Sequence, residues 1–201
     1  MLLTFYADES YNDRTFNFGG WLARESVWSR LESQWGRCLD FERRRHGKLE
    51  RFHATHCNGG TGEYEAWGRA DRVKHTKSLL DIVKRRKELV AVCAGLDVDA
   101  MRRVYLGDAQ DWRAGAYRLT VTQLMIMVGR AVKKNSGHRV AIIHDWANEY
   151  NAVISEAFIA QQDNPKWGHR DLFYLLHSDE VAGSYRAAIG RHDCVRYIQA
   201  A

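Results

Sequence analysis

The sequence has little of what stabilises secreted or membrane proteins. Its four cysteines, Cys38, Cys57, Cys93 and Cys194, show no paired spacing, which excludes a disulfide framework and a zinc ribbon. No run approaches the roughly 20 apolar residues of a membrane-spanning helix. The N-terminus has neither a basic lead-in nor a cleavage site, so we expect a cytoplasmic protein without a membrane partner.

Positive charge, by contrast, is in excess, with a net charge of +5. Clustered cations favour a polyanionic partner, and nucleic acid is the expected one. An alternative, compatible with the first, is that each cluster lies in the last turn of a helix and complements its dipole. The residues predicted to contact nucleic acid are Arg43, Arg44, Arg45, Lys48, Lys84, Arg85, Arg86 and Lys87.

The first residues predict a buried strand that ends in acid. From Leu2 the run is apolar, aromatic and β-branched, and it stops at Asp8 and Glu9. Because side chains alternate along a strand, only one of these two acids can point into a given site. The alternative interpretation is that Asp8 and Ser10 open a turn by hydrogen-bonding their own backbone.

A second apolar strand, 139 to 145, also ends in acid, at Asp145. The intervening helices allow the two strands to be parallel neighbours, which would make Asp8 and Asp145 face each other. Two close carboxylates repel unless a cation lies between them, and oxygen ligands favour Mg²⁺ or Mn²⁺. Glu149, one turn further along, is close enough to contact such a cation through water, or it is a first-turn acid favoured by the helix dipole.

Three short motifs resemble those of the bacterial family of unknown function numbered 3800. They are Tyr-Ala-Asp-Glu-Ser at 6 to 10, Phe-His-Ala-Thr at 52 to 55 and a terminal Ile-Gln-Ala-Ala. The resemblance implies a ribonuclease H-like fold and places Asp8 and Glu9 in the opening motif. It also implies that His53 lies at the edge of the site. In the family an Asp directly follows the third motif, and Ala201 is the last residue here.

His53 has two further interpretations. With His56 and Cys57 it offers three metal-ligand types in five residues, but zinc needs a fourth partner at a paired spacing, and none is evident. It is equally consistent with a structural histidine.

The predicted fold class is α/β, with a ribonuclease H-like mixed sheet that is antiparallel at its start, parallel after it, and flanked by helices. Residues 1 to 201 are predicted to form a single domain with a helical elaboration around 26 to 87. Ser26 is the predicted cap of the first long helix and Gly47 its end. Asp99 is the predicted cap of the helix after the third strand.

These observations predict a metal-dependent nuclease that hydrolyses phosphodiester bonds with two divalent cations. Asp8 would bridge both cations, Asp145 would hold one, and Glu9 and His53 complete the candidate catalytic set. The alternative is a catalytically inactive nucleic-acid-binding or interaction subunit of the same fold, and it is supported by the absence here of the Asp that follows the third motif in the family. A protein partner or a homodimer is compatible with both functions.

Overall fold

The computed structural model describes residues 1–104, 112–132, 138–144, 150–164 and 172–177. In these residues no helix is long and apolar enough to cross a membrane. The strands are β1 (Leu2–Tyr11), β2 (Thr15–Arg24), β3 (Val90–Asp97), β4 (Arg139–His144) and β5 (Phe173–His177). The α-helices are α1 (Glu25–His46), α2 (Ala54–Gly59), α3 (Arg69–Lys84), α4 (Val98–Val104), α5 (Trp112–Ala131) and α6 (Asn151–Asp163).

The five strands form one mixed sheet in the order β3-β2-β1-β4-β5. β2 runs antiparallel to β3, whereas β4 runs parallel to both β1 and β5. The link of residues 12 to 14 between the neighbouring strands β1 and β2 is short enough only for an antiparallel hairpin. The prediction of an α/β fold with a sheet that is antiparallel at its start and parallel after it is therefore confirmed.

Helices α5 and α6 bury one face of this sheet. Phe5 and Ala7 of β1 and Ile142 of β4 belong to a continuous apolar core that includes Leu124 of α5 and Phe158 of α6. Because side chains alternate along β1, Thr4, Tyr6 and Asp8 lie on the opposite face. Asp8 therefore does not point toward the α5 and α6 core.

Asn12, rather than Asp8, stabilises the hairpin turn. Its side-chain oxygen accepts hydrogen bonds from the backbone N–H of Arg14 at 2.8 Å and of Thr15 at 2.9 Å. β1 continues to Tyr11, so Asp8 lies three residues inside the strand. Two interpretations from the sequence are therefore wrong: the strand does not end at the acids, and Asp8 does not open the turn.

The described residues divide into two compact units, one formed by those within 1–22 and 90–177 and the other by 23–89. The described part of the second unit is helical and spans almost the same residues as the elaboration expected around 26 to 87. Its interior is a buried aromatic cluster in which the rings of Phe52, Tyr64, Trp67 and His75 contact one another. The prediction of a single domain stays a prediction.

Two helix starts differ from the sequence-based prediction. α1 begins at Glu25 with Arg24 as its N-cap, because β2 passes directly into the helix, so Ser26 is not the cap. α4 is capped by Asp97, whose carboxylate accepts a 2.6 Å hydrogen bond from the N–H of Ala100, rather than by Asp99. The predicted end of α1 is confirmed, since Gly47 follows it with φ of 87°.

Candidate active site and nucleic-acid interface

Asp8 directly follows Ala7, the last residue of β1 that is aligned with a described residue of β4. The carboxylate is half-buried, and its Oδ1 accepts a 3.0 Å hydrogen bond from the backbone N–H of Glu9. Glu9 is also half-buried but, by alternation along the strand, lies on the other face of the sheet. The sequence-based expectation that the two acids cannot share one site is consistent with this placement.

The predicted parallel pairing of β1 and β4 is confirmed. Their register aligns Phe5 with Ile142, Tyr6 with Ile143, and Ala7 with His144. The two residues that come next in the chain are Asp8 and Asp145. Asp145 and Glu149 lie outside the described residues, so the acid pair and its separation stay predictions.

In the part of the chain that the structure describes, no group of three or more His, Cys, Asp or Glu side chains is placed to hold a metal ion. The predicted ligand set contains Asp8 together with two residues from outside that part. Its carboxylates are oxygen donors of the kind that Mg²⁺ and Mn²⁺ prefer.

His53 belongs to the helical unit, where it is the residue before α2. Its half-buried ring lies 4.8 Å from that of His56, measured between ring centroids. Burial lowers the pKa of His53, Arg51 and His56 lower it further, and Glu63 opposes them. The imidazole is therefore held toward its neutral form, the form that accepts a proton or binds a cation. Its predicted catalytic role stays a prediction.

Cys57 is packed as a structural thiol. Its Sγ lies 3.7 Å from the carbonyl oxygen of Arg72 and 3.4 Å from the hydroxyl of Thr76, and burial raises the pKa of the thiol. A neutral thiol is a poor metal ligand, since zinc binds the thiolate. This environment argues against zinc bound by His53, His56 and Cys57.

The first basic run lies in the last turn of α1, as one of its two interpretations predicted. Arg43 forms an ion pair with Asp40 at 2.6 Å and donates to the carbonyl of Leu49 at 2.8 Å. Arg45 forms ion pairs with Glu42, which is only 4% exposed, and with Asp71. These two arginines have structural partners.

Arg44 and Lys48 differ from their neighbours in this run. Both side chains are exposed, and neither forms an ion pair within the described ranges. They are the members of the first run best placed to contact a phosphate backbone.

The second basic run follows the end of α3. Lys84 is the last residue of the helix, and the N–H of Arg85 donates to the carbonyl of Asp81. Lys84, Arg85 and Lys87 are exposed, whereas Arg86 is half-buried. Three cations of this run are thus accessible to a polyanion, and the nucleic-acid partner itself stays a prediction.

The sequence-based reasoning missed a pocket of about 630 Å³ between α2 and α3. The sequence does contain a pattern that marks one wall of this pocket. Along one predicted helix, cationic and aliphatic residues recur at spacings of three and four: Arg69, Val73, Lys77, Leu80 and Lys84. Such a stripe places all five residues on one helix face.

Comparison with known proteins gives no relative. No family model, no curated protein and no solved structure matches this chain.

Proposed function

We propose that the protein is a metal-dependent nuclease that hydrolyses phosphodiester bonds with two divalent cations, Mg²⁺ or Mn²⁺. The observation that carries the proposal is the register of β1 and β4, which aligns Ala7 with His144 as the last pair before Asp8 and Asp145. In a parallel pair, residues aligned in register point to the same face of the sheet. Continuing this register by one residue would bring the two carboxylates together on one face.

The donor chemistry fits divalent cations. Asp8, Asp145 and Glu149 offer only oxygen atoms, and two adjacent carboxylates are costly to bury without a counterion. Bound cations of this type would supply an activated water and stabilise charge on the leaving oxygen. The residues' own part is to position phosphate and water, with Asp8 one residue beyond the aligned pair of Ala7 and His144.

Two further features support the proposal. The mixed sheet, antiparallel at its start and parallel after it, is the arrangement that the ribonuclease H resemblance implies. The exposed cations Arg44, Lys48, Lys84, Arg85 and Lys87 supply the positive surface that a phosphate backbone requires.

Asp8→Asn tests the proposal. The substitution keeps the shape of the side chain and removes one formal charge, so we expect the fold to survive and cleavage of DNA or RNA in Mg²⁺ or Mn²⁺ to fall by about 100-fold or more. The matched control is Asp13→Asn, which removes the same charge from an exposed turn residue beside the same strand. Equal cleavage by the wild-type protein and Asp8→Asn would contradict the assignment of Asp8.

A second candidate function is a nucleic-acid-binding subunit without catalytic activity. The same exposed cations favour it, since they serve binding whether or not a metal site is assembled. Retained binding without cleavage by the wild-type protein, in both Mg²⁺ and Mn²⁺, would favour this function over the nuclease.

A further inference from the structure

The pocket between α2 and α3 lies wholly within the helical unit, and its volume of about 630 Å³ is typical of small-molecule sites. Phe52 and Cys57, both buried, line its inner part, while Thr55 and Asn58 contribute a hydroxyl and an amide. The pocket therefore combines an apolar interior with a few hydrogen-bonding groups.

One face of α3 forms the other wall along the length of the helix. The core-facing residues of α3 are His75 and Leu79, which are buried. The face toward the pocket instead carries Val73 and Leu80, which are 60% and 51% exposed. Two large aliphatic side chains seven residues apart thus lie on the wall of a cavity without being packed.

The mouth of this pocket is cationic. Arg69, Lys77 and Lys84 line it and are exposed, against a single acid, Asp81. None of the three cations forms an ion pair in the part of the chain that the structure describes. Arg72 also lines the pocket, but it donates to the carbonyl of Trp67 at 2.8 Å and so has a structural role.

We propose that this pocket binds one nucleotide of a single-stranded nucleic acid. The base would pack against Val73 and Leu80, as apolar side chains pack on unpaired bases, with the amide of Asn58 available to a base edge. The flanking phosphates would contact Lys77 and Lys84. The proposal rests on the proposed function for its choice of nucleic acid, and it adds an unpaired strand and a binding site formed by residues other than the β1 acids.

The pocket is distinct from a general cationic surface because it pairs charge with apolar contact. A surface of cations alone binds any polyanion, whereas the wall of Val73 and Leu80 contributes only to a ligand with an apolar body. The two contributions therefore respond to different substitutions and different probes.

The experiment measures binding of fluorescein-labelled oligodeoxythymidylate and oligouridylate by anisotropy, with EDTA present to prevent cleavage. Leu80→Ser removes apolar contact and Lys77→Glu reverses a charge at the mouth. Matched controls are Leu119→Ser, on the exposed face of α5, and Lys74→Glu, an exposed residue of α3 outside the pocket.

We expect Leu80→Ser to weaken oligonucleotide binding about fivefold, and to leave binding of inorganic polyphosphate unchanged. Lys77→Glu should weaken both and lower the slope of log Kd against log salt concentration by about one. Both controls should bind like the wild-type protein.

Three results would overturn the proposal. The first is equal affinity for each variant and its control. The second is an effect of Lys77→Glu without an effect of Leu80→Ser, which would leave only a cationic surface. The third is tighter binding of polyglutamate than of either oligonucleotide, lost in both variants, which would assign the pocket to an acidic protein segment.

The two proposals fail separately. Wild-type cleavage that depends on Asp8, with unchanged binding by the pocket variants, would reject the pocket and keep the nuclease. Binding that is lost in the pocket variants, with no cleavage by the wild-type protein, would reject the nuclease and keep the pocket.

Discussion

At the scale of single residues, the helical unit buries polar groups that a hydrophobic core rarely contains. His75 is 0% exposed, and its Nδ1 lies 4.0 Å from the Sγ of Cys38. Burial, aided by His46, lowers the pKa of His75 to about 4. Burial, aided by Glu42, raises the pKa of the Cys38 thiol to about 11. Both groups are therefore neutral at pH 7, which is the form that burial favours.

His75 makes the stability of the protein depend on pH. The unfolded chain takes up a proton near pH 6.5, but the folded chain does so only near pH 4, so between these values the unfolded state binds more protons. Acidification through this window should lower the free energy of unfolding by roughly 3 kcal/mol at most. Above pH 6.5 the contribution vanishes.

His75→Gln should flatten this part of the profile, because glutamine does not titrate. Urea unfolding at several pH values measures the effect. The control is His56→Gln, which makes the same substitution at an exposed histidine of the same unit. Parallel profiles for His75→Gln and the wild-type protein would contradict the assignment of this pH dependence to His75.

At the scale of elements, one glycine of the chain is required by close packing and another is not. Gly20 of β2 faces the backbone of β1, where a Cβ would overlap the carbonyl oxygen of Tyr6. Gly36 lies inside α1, where a Cβ would meet no atom within 4 Å. Gly20 therefore allows the backbones of β1 and β2 to approach closely.

Gly20→Ala should destabilise the protein by roughly 1–3 kcal/mol, because β1 and β2 must separate to accept the methyl group. Gly36→Ala, its control, should stabilise it by up to about 1 kcal/mol through helix propensity. Thermal or urea unfolding of both variants measures these changes. A stabilised Gly20→Ala variant would contradict the observed packing of the hairpin.

Elements with a clear pattern were predictable, and those defined by tertiary contacts were not. The bounds of β4 follow from its apolar run, and the end of α1 follows from Gly47, which has a positive φ. α2 was missed because it is a short helix of six residues, of which only Cys57 is buried. A helix of this length has no periodicity to detect.

At the scale of the candidate site, sequence predicted the sheet pairing but not the detailed roles of charged residues. The pairing of β1 with β4 follows from two apolar strands joined by helices. The ion pairs of Arg43 with Asp40 and of Arg45 with Glu42 have the i,i+3 spacing that the sequence already shows. The pair of Arg45 with Asp71 of α3 could not be foreseen, because it depends on the packing of two helices. A run of cations in sequence does not reveal which members are neutralised in the fold.

At the scale of the whole molecule, the difference between cations that form ion pairs and cations that do not predicts how nucleic-acid affinity depends on salt concentration. Replacing Arg44 and Lys48 with glutamine should lower the slope of log Kd against log salt concentration for nucleic acid by about two, since both cations are exposed and unpaired within the described ranges. The control replaces Lys74 and Arg103 with glutamine, which removes the same charge from two other exposed positions. Equal slopes for the two double variants would show that the end of α1 does not contact the phosphate backbone.

The central claim is that Asp8 and Asp145 form one metal site directly after the aligned residues Ala7 of β1 and His144 of β4. Its most direct test is a crystal of the wild-type protein soaked in Mn²⁺, with the ion located by its anomalous scattering. The claim predicts an ion within about 2.0–2.3 Å of carboxylate oxygens from both residues. Mn²⁺ bound only at His53, His56 and Cys57, or absent from the two aspartates at saturating concentration, would contradict it.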